Sequence, residues 1–126
     1  GINDVWHGLN LDWRPGVGIE LYVQTYREIL TELRARLPKC LLVLCEPSVI
    51  SPPAHDNGNA PLWPYVQAVD ELAVEFRADA LVQLHQAFLD AEKIRPDIEW
   101  TTDGVHPTSS GHALIARQWL EATQLL

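Results

Sequence analysis

Apolar residues recur at helical spacing in several stretches of the chain, and two short apolar runs separate these stretches. Between residues 19 and 37 they lie three or four positions apart, at Tyr22, Tyr26, Ile29, Leu33 and Leu37. This spacing predicts an amphipathic helix with one buried face, and Pro38 ends it. Residues 62–77 repeat the pattern and predict a second helix.

Two shorter helices are expected toward the end of the chain. Residues 85–93 can form a short helix that Pro96 stops. Thr108 or Ser109 can then cap a final helix that runs through Leu120.

The two apolar runs predict strands. Residues 41–46 are almost continuously apolar, which is typical of a strand covered on both faces in a parallel sheet, and residues 80–84 form a shorter run. Alternating helices and strands predict an α/β fold with parallel strands and right-handed crossovers. Two strands alone leave long unpaired edges, so we expect strands from elsewhere to complete the sheet.

A long, proline-rich loop is predicted between the first strand and the second helix. It spans residues 48–64, and loops of this length are usually functional or mobile. Loops at the carboxyl ends of parallel strands line ligand sites in open α/β sheets. We therefore expect a possible substrate-lining role, with packing as the equal alternative, for four residues: Trp6, His7, Ser48 and Trp63.

Composition narrows the class of protein. The 126 residues are 47% hydrophobic, which suits one globular domain, and the nine basic residues are scattered in a chain of net charge -8. Nucleic-acid binding is not expected without a basic stripe. No apolar stretch approaches the roughly 18 residues of a membrane span.

Cys40 and Cys45 lie five apart on the predicted strand, so they should not pair, and buried free thiols would suit a reducing compartment.

The candidate chemistry lies near the two ends of the chain. Residues 103–106, Asp-Gly-Val-His, place a carboxylate and an imidazole on one tight loop, as a general base and its orienter require. Residues 1–4, Gly-Ile-Asn-Asp, predict a turn in which Asn3 offers an amide donor and Asp4 accepts backbone N–H groups. The alternatives are a histidine that caps the last helix, an ordinary Asp-Gly turn and an Asx-turn.

These two blocks resemble the Gly-x-Asn-Asp and Asp-x-x-His-Pro blocks of the SGNH hydrolases, also called GDSL-type esterases and lipases. The resemblance covers essentially the whole chain. It implies an α/β fold, a three-layer α/β/α sandwich with a parallel sheet whose N-terminal strands are absent from this chain. Residues 1–126 would then be the C-terminal part of a single SGNH hydrolase domain, and the N-terminal part of the same protein would be its partner.

The resemblance also implies roles for the candidate residues. His106 would be the general base, Asp103 its orienter and Asn3 an oxyanion-hole donor, while the nucleophilic serine would lie upstream. The chain's own candidates, Ser48, Ser51, Ser109 and Ser110, do not lie on a glycine-rich strand-to-helix elbow. Cys45, within the apolar run, is expected to be inert.

The activity that follows from the resemblance is ester hydrolysis through an acyl-enzyme. The substrate would be a small ester: an acyl ester, an acetylated sugar or a lysophospholipid. No cofactor is implied. A metal site could form from Asp103, His106 and His112 only if the His112 side chain faced the other two, so no metal is expected. His85 and His112 are expected at the surface or at helix starts. The alternative is a non-catalytic interaction domain or pseudoenzyme with this fold.

Overall fold

Five helices and two strands make up the part of the chain that the computed structural model describes, namely residues 1–9, 16–50 and 58–124. The tip of the predicted loop, with Ser51, lies outside the described residues. In chain order the elements are α1 (Ile2–Leu9), α2 (Ile19–Arg36), β1 (Val43–Cys45), α3 (Asn59–Glu75), β2 (Ala80–Val82), α4 (Leu84–Ile94) and α5 (Ser109–Thr123).

The two strands form a parallel pair, as predicted. Val43 lies opposite Ala80 and Cys45 lies opposite Val82, while α3 provides the crossover and packs on both strands. Both strands are shorter than the apolar runs that predicted them. The pairing nevertheless continues one step beyond β1, because the backbone N–H of Glu46 donates to the carbonyl oxygen of Val82 at 3.0 Å.

The predicted burial of β1 on both faces is wrong for this chain. Leu44 is buried, but Val43 is half-buried and Cys45 is exposed. Cys40 precedes the strand, and both cysteines are exposed free thiols, so the expectation of buried thiols is also wrong. The physical reason is the alternation of side chains along the strand: Leu44 points to the face that α3 covers, and Val43 and Cys45 point to the opposite face.

Helix α3 contributes most of the core. Its buried side chains are Leu62, Tyr65, Val66, Ala68, Val69, Leu72 and Ala73. The helix begins at Asn59, three residues before the predicted start, because Pro61 lies in the first turn, where a backbone N–H has no helical partner. Pro64 lies further inside and removes one helical hydrogen bond. The loop predicted at residues 48–64 therefore ends before Asn59, where α3 begins.

Helix α2 buries a narrower face than its apolar stripe predicts. Leu30 is buried, and Tyr22 and Tyr26 are half-buried. Three residues of the predicted stripe are exposed instead: Ile29, Leu33 and Leu37. Helix α2 packs against α3 on one side, so the other side of its stripe borders an open groove of about 570 Å³.

The predicted turn at residues 1–4 is wrong, because these residues begin helix α1. Asp4 lies in the first turn, where its charge complements the helix dipole. The apolar face of α1 packs on a core cluster through Ile2, Val5 and Trp6. An eight-residue helix offers too few repeats for its periodicity to stand out in the sequence.

The last two helices agree with the sequence within a few residues. Helix α4 extends one residue beyond each end of the predicted range, and α5 begins at Ser109 and ends at Thr123. Thr108 is the N-cap, and its hydroxyl oxygen accepts a hydrogen bond from the backbone N–H of Gly111 at 3.3 Å. None of the helices in the described ranges is long and apolar enough to cross a membrane.

Candidate active site

The loop before α5 has a closed, hydrogen-bonded frame. Thr101 and Pro107 form an antiparallel bridge, and the backbone N–H of Thr102 donates to the carbonyl oxygen of His106 at 2.8 Å. Between them Gly104 has a φ of 87°, a conformation that residues with a Cβ rarely adopt. The sequence Asp-Gly therefore turns the chain tightly enough to bring Asp103 and His106 together.

The Asp103 carboxylate accepts three hydrogen bonds within this loop. Oδ1 accepts from the backbone N–H groups of Val105 at 3.0 Å and His106 at 2.8 Å, and Oδ2 lies 2.8 Å from His106 Nδ1. These bonds, with the backbone N–H of His106 contributing most, lower the pKa of Asp103 to about 2. Asp103 is therefore an ionised acceptor at neutral pH.

The same contact determines which ring nitrogen of His106 carries the proton. An ionised carboxylate can only accept, so Nδ1 must donate, and Nε2 of the neutral imidazole keeps its lone pair. The His106 side chain is 74% exposed, so a reacting group can reach Nε2. The alternative of a helix-capping histidine is not observed, because the side-chain cap of α5 is Thr108.

The segment around Val105 and helix α1 meet at one core cluster. Val105, between Asp103 and His106, is buried in the same cluster as Val5 of α1, and Ile2 and Trp6 pack against that cluster. Asn3 lies on this helix with an exposed side chain. The fold therefore brings the segments that carry Asn3 and His106 together, while the oxyanion role of Asn3 stays a prediction.

Asp4, in the first turn of α1, accepts a hydrogen bond from the backbone N–H of Val17 at 3.2 Å. Asp4 thus links the start of α1 to the segment before α2.

The four predicted lining residues lie in two places. Trp6 and His7 are half-buried on α1. Ser48 follows β1, and its carbonyl oxygen lies 2.6 Å from His85 Nδ1, while the ring of Trp63 lies 5.8 Å from the ring of His85. Ser48 and Trp63 therefore gather around His85, and their role toward substrate remains a prediction.

Three titratable side chains that sequence reasoning missed form a cluster at the carboxyl ends of the strands. Glu46 and His85 are 5% and 4% exposed, and His85 lies at a helix start, one of the two locations expected for it. Burial, with a contribution from Asp70, raises the pKa of Glu46 to about 7, and burial also raises the pKa of Asp70. In the sequence, Asp70 is a carboxyl group within an otherwise apolar stretch of α3, and this position was the signal that could have indicated the cluster.

The described residues contain no group of three or more His, Cys, Asp or Glu side chains placed to hold a metal ion. His112, the third member of the metal site considered from sequence, is exposed on α5.

The chain thus combines a parallel α/β fold with an Asp–His pair just before its last helix. The sequence matches the profile of the GDSL-like lipase/acylhydrolase family over residues 1–114, and the chain belongs to this family. A comparison with curated proteins gives no match.

Solved structures show the same fold. A protein from Parabacteroides merdae described as a GDSL-like lipase matches with a TM-score of 0.87 and 31% identity, over 100% of this chain and 58% of its own. Axe2, an acetylxylan esterase from Geobacillus stearothermophilus, matches with a TM-score of 0.83 and 26% identity, over 100% of this chain and 57% of its own. A catalytic mutant of Axe2, with alanine in place of a serine, matches with a TM-score of 0.81 and 27% identity, over 98% and 56%.

These matches have two consequences. The fold is the α/β sandwich with a parallel sheet that this family has, as the sequence predicted. The chain spans a little over half the length of the solved structures that it matches.

Proposed function

We propose that this chain is the C-terminal part of a serine ester hydrolase domain that works through an acyl-enzyme. The observation that carries the proposal is the contact between Asp103 Oδ2 and His106 Nδ1, because it leaves Nε2 as a base. Family membership supports an ester as the substrate.

The reaction would begin at His106. Nε2 takes the proton of the serine hydroxyl as the serine oxygen bonds to the ester carbonyl carbon, which gives a tetrahedral oxyanion. The intermediate collapses, the alcohol leaves with the proton from Nε2, and the acyl group stays on the serine. Water then attacks the acyl carbon with the same help from His106, which releases the acid and restores the serine.

Asp103 and Asn3 would act on charges that form during these steps. When Nε2 takes a proton, the imidazolium is stabilised by the adjacent Asp103 carboxylate, which stays ionised. The Asn3 amide would donate to the oxyanion, where one preorganised donor is worth about 3 to 4 kcal/mol. The location of Asn3 on α1, packed on the cluster that holds Val105, supports this role.

The nucleophilic serine would come from sequence N-terminal to Gly1. In Axe2 the serine replaced in the catalytic mutant lies near the start of that chain, and this chain matches 56% of that structure. The open edge of β1 and the exposed side of α2 support a missing neighbour that carries further strands. Residues 1–126 would therefore be part of one domain with an N-terminal portion.

Among the ester substrates considered, an acetylated oligosaccharide has the most direct support, because Axe2 is an acetylxylan esterase. The four possible lining residues, Trp6, His7, Ser48 and Trp63, would contact the acyl or alcohol part. The proposed chemistry uses side chains alone, without a cofactor.

The test compares ester hydrolysis by the intact protein and its His106→Ala variant. Activity on p-nitrophenyl acetate and acetylated xylooligosaccharides should be nearly abolished in His106→Ala and retained in His112→Ala, a change at an exposed histidine on α5. A wild-type protein that is folded but inactive on both esters would favour the non-catalytic alternative. Full activity in His106→Ala would remove the assigned base.

A further inference from the structure

His85 joins the start of α4 to the segment that follows β1 through two hydrogen bonds. Its backbone N–H donates to Glu46 Oε2 at 3.0 Å, and its ring Nδ1 lies 2.6 Å from the carbonyl oxygen of Ser48. A carbonyl oxygen can only accept, so Nδ1 carries the proton. Both Glu46 and His85 are buried, so these bonds are shielded from competing water.

The segment held in this way leads to the candidate active site. Ile50 lies two residues after Ser48, is fully buried, and belongs to the core cluster that contains Val105. The backbone N–H of Ile50 also donates to Asn59 Oδ1 at 2.9 Å, which fixes its other side to α3. Val105 in turn lies between Asp103 and His106, so Ile50 and the candidate catalytic loop share one closely packed cluster.

We propose that His85 and Glu46 are positioning residues, which hold residues 48–50 in place and thereby set the position of the Asp103–His106 loop. This inference rests on the proposed function, because its main readout is ester hydrolysis. It assigns a task to two buried polar side chains that do not belong to the Asp–His pair. Such groups cost stability unless their hydrogen bonds are satisfied.

Asp70 completes the arrangement from the side of α3. Asp70 is half-buried on α3, and burial raises the pKa of both Asp70 and Glu46. Glu46 Oε2 accepts the backbone N–H of His85 and so joins the end of β1 to the start of α4. Glutamine at position 46 keeps an acceptor for this N–H, since its amide has a carbonyl oxygen.

The histidine variants separate the hydrogen bond from the bulk of the ring. In the intact protein, His85→Leu removes the donor to Ser48, whereas His85→Asn places an amide N–H near the position of Nδ1. We expect His85→Leu to lower kcat on p-nitrophenyl acetate roughly 10- to 100-fold with KM changed less than about twofold, because a small displacement of a catalytic group costs this much. His85→Asn should recover most of the loss.

The Glu46 variants test the hydrogen bond between the backbone N–H of His85 and the Glu46 carboxylate. They remain informative if His85→Leu does not fold. Glu46→Gln should keep kcat within about threefold of wild type near pH 6, and Glu46→Ala should lower it like His85→Leu. Asp90→Asn, a change at an exposed carboxylate on the same helix as His85, should have no effect.

Several results would overturn the proposal. They are wild-type kcat in His85→Leu or Glu46→Ala, equal loss in His85→Asn and His85→Leu, or an effect confined to KM. Hydrogen exchange of the amides in residues 48–50 and 101–106 gives a readout that does not need activity: protection should fall in His85→Leu and stay in His85→Asn. If wild type hydrolyses no ester, the proposed function fails, and unchanged exchange in both variants would separately refute the positioning role.

Discussion

The carboxylate of Asp103 accepts two hydrogen bonds from His106, one from the backbone N–H to Oδ1 and one from ring Nδ1 to Oδ2, both at 2.8 Å. One residue thus fixes the backbone and the ring of the other. These contacts lie within one short loop, so they fix the imidazole of His106 relative to Asp103.

The first prediction concerns Asp103→Asn in the intact protein. The asparagine amide can turn its NH₂ group toward Nδ1, which would favour the wrong tautomer of His106 and remove the negative charge. We expect kcat on p-nitrophenyl acetate to fall roughly 10²- to 10⁴-fold with little change in KM. Near-normal kcat in a variant with an unchanged melting temperature would show that Asp103 does not orient the base.

The second prediction concerns Asn3. Asn3→Ala removes the proposed donor to the oxyanion and should lower kcat roughly 10²- to 10³-fold, while the exposed position should leave stability almost unchanged. Asn3→Asp has nearly the same shape but presents a negative charge to the oxyanion, so it should be at least as damaging. If Asn3→Asp retained wild-type kcat, the amide would have no part in the reaction.

The third prediction is a pH dependence of stability that Glu46 causes. Its pKa rises from 4.5 to about 7 on folding, so between these values the folded protein keeps a proton that the unfolded chain has lost. The free energy of unfolding should therefore be highest, as far as this group contributes, below about pH 4.5, and should fall as pH rises toward 7. Asp70, whose pKa is also raised, acts in the same direction.

The control for this prediction is a matched pair of amide substitutions. Glu71 on α3, whose charge raises the pKa of Asp70, and His85 on α4, whose backbone N–H donates to Glu46, stay in place in each variant. Urea unfolding of the intact protein should show the decline in wild type and in Asp90→Asn, and a flatter profile in Glu46→Gln. Identical slopes in all three would mean that Glu46 titrates alike in the folded and unfolded states.

The fourth prediction concerns residues 1–126 expressed alone. The open edge of β1 and the exposed side chains of Ile29, Leu33 and Leu37 leave apolar and hydrogen-bonding groups uncovered. The fragment should be inactive toward esters and should aggregate, exchange strands or bind an N-terminal partner. A separately produced N-terminal portion should restore solubility and some activity, whereas a monomeric fragment with sharp cooperative unfolding would contradict the prediction.

Sequence patterns predicted the features that depend on local chemistry. Apolar spacing predicted a helix at residues 19–37, and the structure has it at Ile19–Arg36. A hydroxyl side chain predicted the cap at Thr108, and the Asp-Gly turn predicted the contact between Asp103 and His106; both are observed. The parallel pairing of β1 and β2 follows from their order with α3 between them.

Features that depend on distant packing were not predicted. Helix α1 is stabilised by a cluster that includes Ile50 and Val105, so its short sequence alone gave no signal. The burial of His85 depends on Glu46, which lies 39 residues earlier in the chain. Exposure of Cys45 depends on what covers its face of β1, and the local sequence cannot specify that.

The most direct measurement of the central claim is labelling of the intact protein with a fluorophosphonate, which reacts with an activated serine hydroxyl. We predict one label per molecule, on a serine N-terminal to Gly1, and loss of labelling in His106→Ala because that serine would no longer have its base. Labelling of Ser48, Ser109 or Ser110, or undiminished labelling in His106→Ala, would contradict the account.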